Sequence, residues 1–166
     1  MEGQFLRDDL YELAFLQGDT EEMRREVQAV AGKAGVEDIL LSAESDTAAY
    51  QGRLEKAREL SGLAVKSALR AEEKETAALW QLNSALRESE VGNRERARQE
   101  ANVGLAVAST RDVRTLTALT LASVGDSVRA RTMADELQKE FPVNTMLKSL
   151  LAACNSRLHR VSHRAP

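Results

Sequence analysis

Chemistry needs nucleophiles, bases or ligands at defined spacing, and this sequence offers few. Its only histidines, His159 and His163, stand near the C-terminus beside the lone cysteine, Cys154. The histidines are four residues apart, a spacing that could serve a metal. With three ligands, no fourth, and a tail without an apolar pattern, the set reads as incidental. No metal and no cofactor is expected. The helical body has no histidine for a Ser-His-Asp or Cys-His site. There is no G-x-x-x-x-G-K-[ST], no G-x-G-x-x-G, no H-E-x-x-H and no G-x-S-x-G, and neither H-R-D nor D-F-G occurs. An enzyme is not expected.

The charged groups read the same way. Asp8-Asp9, Glu21-Glu22 and Glu72-Glu73 fall at helix starts or in links, where acids complement the helix dipole. Arg94, Arg96 and Arg98 alternate with Glu95 and Glu100 as a solvated face would. Trp80 shares a helix side with Asn83, Ser84 and Arg87, a stripe that could receive a peptide. The residues twelve before Gly52 and Gly125 are Leu40 and Val113, both apolar. That equivalence favours packing between hairpins over ligand contact for Trp80.

The chain has 166 residues, enough for a real core. Hydrophobic residues are 43% and charged residues 30%, a balance that excludes disorder. A single cysteine excludes an internal disulfide and points to a reducing compartment. No signal-peptide pattern and no bilayer-length apolar run is visible, so a cytoplasmic location is expected. Residues 1–50 carry twelve acids and four bases, and residues 142–166 four bases and no acid. No basic stripe is interleaved with aromatics, so neither direct nucleic-acid binding nor a membrane partner is expected.

The elements that must position any site are helical. Ala, Leu, Glu and Arg dominate, all strong helix formers. Apolar spacing predicts helices over 8–17, 20–31, 36–51, 53–71, 76–91, 94–108, 113–124, 127–141 and 145–154. Asp19 caps the second, with Glu22 completing a capping box. Asp112 and Asp126 are expected to cap the seventh and eighth. Glycines 18, 52, 92 and 125 turn the chain at steps of 34, 40 and 33 residues. A recurrence near 34 with two helices per unit marks a helical-hairpin repeat. The 40-residue step calls for about six inserted residues, placed at Ala71–Lys74 on this reading. Residues 1–154 form the repeat domain, and 155–166 a basic, disordered tail.

The sequence resembles the tetratricopeptide repeat family. Four marks carry the likeness: the interhelix glycine, an alanine five residues later, a small residue seven before, and a proline seventeen after. Gly125, Ala130, Ala118 and Pro142 supply all four. Gly92, Ala97 and Ala85 supply three, with Ser109 at the proline position. Gly52, Ala57 and Ser45 do likewise, with Leu69. Gly18 stands with Met23 and Tyr11. The runs AFLQGDTEEM, AESDTAAYQGRLEKARELS and ETAALWQLNSALRESEVGN also look like the C-terminal repeat arrays of large bacterial regulators. Those carry a eukaryotic-like serine/threonine kinase or a winged-helix DNA-binding domain upstream.

The resemblance implies an all-α, right-handed α-solenoid of about four helical hairpins plus a terminal helix. It implies a non-catalytic protein–protein interaction scaffold that binds a partner segment on its concave face. The alternative is the regulatory repeat segment of a larger kinase or transcription regulator. Carried onto this chain, the concave positions are Asp8 and Glu12, then Ser42, Asp46 and Ala49, then Leu82, Leu86 and Ser89, then Thr115, Leu119 and Ala122. The partner-binding residues expected from them are Ser42, Asp46, Leu82, Leu86, Ser89, Thr115 and Leu119. Such a surface passes from acidic to apolar and suits a segment with apolar anchors and a basic end. Phe5, Leu6, Leu10, Leu13, Phe15 and Leu16 make the first helix apolar on more than one side. It is expected to lean on another repeat, an upstream domain or a second copy.

Overall fold

The computed structural model describes residues 2–143 together with Lys148 and Ala152, and their side chains from Leu6 onward. The described residues are all-α, with eight helices and no strand. The helices are α1 (Glu2–Gln17), α2 (Thr20–Val30), α3 (Glu37–Tyr50), α4 (Leu54–Arg70), α5 (Lys74–Glu90), α6 (Arg94–Val107), α7 (Arg111–Ser123) and α8 (Ser127–Glu140). The helix expected over 145–154 and the tail lie outside the described residues. The chain divides into two compact units, Met1–Trp80 and Gln81–Pro166.

One turn recurs five times. A residue with positive φ follows the helix, its N–H bonds the carbonyl three residues back, and the next N–H bonds the carbonyl five back. Gly18, Gly52, Gly92 and Gly125 hold φ of 73°, 76°, 87° and 84° at four of these turns. The five-back bonds run from Asp19 to Ala14, Arg53 to Ala48, Asn93 to Glu88 and Asp126 to Leu121, at 2.8–2.9 Å. This is the Schellman closure, which satisfies carbonyls that a helix end leaves open. The residue after the glycine then caps the following helix. Its carbonyl accepts from Met23, Ala57, Ala97 or Ala130. Each of these lies five residues after its glycine, which explains that sequence spacing.

The fifth turn joins α4 to α5 through Glu72, a non-glycine at φ 63°. Glu73 N–H bonds Ala68 at 3.0 Å, and Ala77 N–H bonds Glu73. The turning residues 52, 72 and 92 are therefore evenly spaced. The expected insertion at Ala71–Lys74 is not there. The six extra residues are helical, since α4 and α5 have 17 residues each against 14 in α3 and α6.

In the first unit Tyr11, Val30 and Leu40 form a core, with Met23, Val27 and Ile39 packed on it. Ala48, Ala57 and Leu60 form another between α3 and α4. There the small residues flanking Gly52 meet directly. Ser45 Oγ donates to the Ala57 carbonyl at 2.7 Å and lies 2.8 Å from Ser61 Oγ. Buried hydroxyls are tolerable only when so satisfied. Arg7 bridges to the buried Glu26 at 2.7 Å and ties α1 to α2. The α2–α3 link needs Gly35, at φ 70°, where a Cβ would stand 2.7 Å from the Ala71 Cβ.

In the second unit Ala118, Leu119, Leu121, Ala122 and Ala130 form the core, with Leu86, Leu116 and Met133 against it. Eight of the thirteen residues of α7 are buried. Its hydroxyls bond back into the helix: Thr115 to the Arg111 carbonyl, Thr117 to Val113, Thr120 to Leu116 and Ser123 to Leu119. Each accepting carbonyl lies four residues earlier, so Thr115, Thr117 and Thr120 enter the core without an open donor, and the half-buried Ser123 is satisfied in the same way. Arg114 reaches Glu140 at 2.5 Å and Glu136 at 3.5 Å, tying α7 to α8. α7 starts at Arg111 with Thr110 at its cap, and Asp112 is not the cap. Asp112 pairs instead with Arg111 at 2.6 Å. Asp126 holds the cap position of α8 without a side-chain cap bond.

Candidate functional site

Within the first unit α1 packs on α3 as well as on α2. Helical spacing turns Tyr11, Ala14 and Phe15 of α1 toward α3, with Glu12 and Leu16 at the edge. On α3, Ala43, Asp46, Thr47 and Tyr50 share one face by the same spacing. Between them lies a solvent-open groove of about 430 Å³, bordered by these residues. That size falls in the range of ligand sites, about 300–1,000 Å³.

Tyr11 is 3% exposed, and its hydroxyl donates to Thr47 Oγ1 at 3.0 Å. Phe15 and Tyr50 meet edge to face, ring centroids 5.6 Å apart. Aromatic pairs prefer this geometry because ring edges are positive and faces negative. Leu16 and Tyr50 are 80% and 81% exposed, a large apolar surface left to water. The charged residues bordering the groove are Glu12 and Asp46. Asp8, one turn before Glu12 on α1, has its carboxyl pushed above the usual range by burial, then by Glu12 and Asp9. Burial also raises the Tyr11 phenol, and Glu44 and Asp46 add to that.

A second cavity, of about 390 Å³, shares Tyr11 and Thr47 with the first. Its other charged residues are Arg24, Arg53, Lys56 and Glu44. Burial raises the Glu44 carboxyl, and Lys56 opposes the rise. Three of the four also make ion pairs or hydrogen bonds with exposed neighbours: Arg24 with Glu21, Arg53 with Gln51, Lys56 with Glu59. The cavity is therefore a mixed-charge surface.

Of the seven residues expected to contact a partner, Asp46 is exposed and borders the groove. Ser42, Leu82, Thr115 and Leu119 are buried. Leu86 is half-buried and packs on the α7 core. Ser89 donates to the Leu86 carbonyl at 2.6 Å. Trp80 is half-buried, and its indole N–H donates to Asp38 Oδ2 at 2.7 Å. Asp38 is itself 1% exposed. Tyr50 was not among the expected contacts, and Phe15 and Leu16 were expected only as part of the apolar first helix, not as concave-face residues. Their signal is that aromatics precede two hairpin glycines, Phe15 by three residues and Tyr50 by two.

No three His, Cys, Asp or Glu side chains among the described residues could together hold a metal ion. Cys154, His159 and His163 lie outside those residues. No described helix is long and apolar enough to cross a membrane. No protein-family model, curated protein or solved structure matches the chain.

Proposed function

We propose that this protein is a non-catalytic interaction scaffold that receives a segment of another protein in the α1–α3 groove. The hairpins belong, on this reading, to a right-handed tetratricopeptide-like array, and the groove lies between the first helices of its first two pairs. One observation carries the proposal. The groove sets an exposed aromatic and an exposed leucine beside two carboxylates. Apolar surface with a few polar groups at its edge is what an extended segment needs for anchoring and register.

Site-directed photocrosslinking tests it. A benzoylphenylalanine at position 16 or 50 is expected to give a discrete adduct in cells, located by mass spectrometry. The same probe at Lys66, exposed on α4, serves as the reference. Equal yields from groove and reference positions would remove the groove from consideration.

A second reading keeps the fold and makes it the regulatory segment of a larger kinase or transcription regulator. Leu6, Leu10 and Leu13 favour it, being exposed apolar side chains of α1. Crosslinks from position 10 or 13 into a kinase or DNA-binding domain would select it.

A further inference from the structure

We infer that the α1–α3 groove is selective for a basic segment, with a lysine or arginine side chain set between Glu12 and Asp46 and an adjacent aliphatic side chain packed among Phe15, Leu16 and Tyr50. This rests on the reading that the groove receives a polypeptide, and it names the chemistry of that polypeptide.

Charge complementarity is the first argument. Among the described residues the groove's border carries two carboxylates and no lysine, arginine or histidine. Asp8 lies close enough to Glu12 to feel its charge. A cation placed there gains from acids on both helices, and an acidic segment or a nucleic-acid phosphate is repelled by the same pair; Arg24, Arg53 and Lys56 border the neighbouring cavity, not this groove. A wholly apolar segment would strip water from the Glu12 and Asp46 carboxylates without replacing it. The aromatic pair is the second argument. A guanidinium or ammonium within about 6 Å of a ring face is further attracted by the ring quadrupole. The exposed Leu16 and Tyr50 then supply the apolar surface for a neighbouring aliphatic group. Non-directional burial there gives affinity, and the acid pair gives register.

The test is fluorescence anisotropy with the full chain and three labelled ten-residue peptides. One alternates leucine with arginine, one leucine with glutamine, and one leucine with glutamate. The arginine peptide is expected to bind at least about tenfold tighter than the glutamine peptide, and the glutamate peptide not at all. Its affinity should fall as salt rises from roughly 0.05 to 0.5 M. Glu12→Lys with Asp46→Lys should weaken it about tenfold or more and let the glutamate peptide bind. Glu55→Lys with Glu59→Lys, on exposed α4 positions, makes the same change in net charge and should leave affinity within about twofold. Circular dichroism shows that each variant keeps its helices. Equal loss in both double variants, or no binding of the arginine peptide, overturns the inference. Preference for the glutamine peptide, lost on Tyr50→Ser, overturns the charge selection and leaves the groove reading standing. Binding that no groove variant alters overturns both.

Discussion

The Asp38 carboxylate shows what a single side chain can decide. It is buried, one oxygen accepts the Trp80 indole N–H, and the other has no hydrogen-bond partner. Trp80→Phe keeps most of the ring volume and deletes the donor. It should cost about 1–3 kcal/mol in urea unfolding, because the lost bond leaves a buried acceptor unsatisfied. Trp80→Phe in an Asp38→Leu background should cost much less, and equal costs would mean the hydrogen bond is not the cause. A second prediction concerns pH. Asp8 and Glu44 are both raised above their ordinary values of 3.8 and 4.5. The native state therefore holds more protons than the unfolded state across the window above those values. Their contribution to stability falls as pH rises through that window and is flat beyond it. Asp8→Asn should flatten part of this slope in unfolding measured from pH 4 to 7. A slope that is unchanged or steeper would reject the assignment.

At the residue scale the groove was half legible. Asp46 and Glu12 emerge from position counting, since acids on a first-helix face stay at the surface. Leu82, Thr115 and Leu119 do not, because a one-residue change of register turns a side chain by about 100°. α7 in addition has little free face. Its back-bonded threonines look polar in the sequence and sit in the core.

Turns were the most legible elements, and the reason is conformational. Only glycine enters the left-handed region without a Cβ penalty, so four of the five recurrent turns announce themselves. The Glu72 turn hides because its left-handed residue carries a side chain. That made two even 20-residue steps look like one long step with a loop. Glu72→Gly relieves the strain and should raise stability by about 0.5–1 kcal/mol, less than the full left-handed penalty because glycine also loosens the unfolded chain. The urea midpoint should rise with an unchanged slope. Gly35→Ala moves the other way. It adds a Cβ at positive φ and 2.7 Å from Ala71, so both strain and overlap oppose it. A loss of about 2 kcal/mol or more is expected, against about 1 kcal/mol for Gly52→Ala, where nothing lies within 4 Å.

For the whole molecule the leucines of α1 pose the sharpest question. Leu6, Leu10, Leu13 and Leu16 are 58%, 38%, 50% and 80% exposed, while Tyr11 and Ala14 of the same helix enter the core. A leucine in water contributes little to folding, and one fully buried contributes about 1.5–3 kcal/mol. Leu10 and Leu13 are about half covered, so replacing both by glutamine should lower unfolding free energy by roughly 2–3 kcal/mol from their buried parts alone. It should also reduce the binding of a hydrophobic dye. Suppose instead that a second copy covers this face in solution. The unsubstituted protein would then grow more stable with concentration, by about 1.4 kcal/mol for each tenfold rise in protein concentration above the dissociation constant. The glutamine variant would lose that dependence. Melting curves at three concentrations for both proteins separate the cases. A loss well above about 3 kcal/mol at every concentration would instead show that the face is buried within one chain.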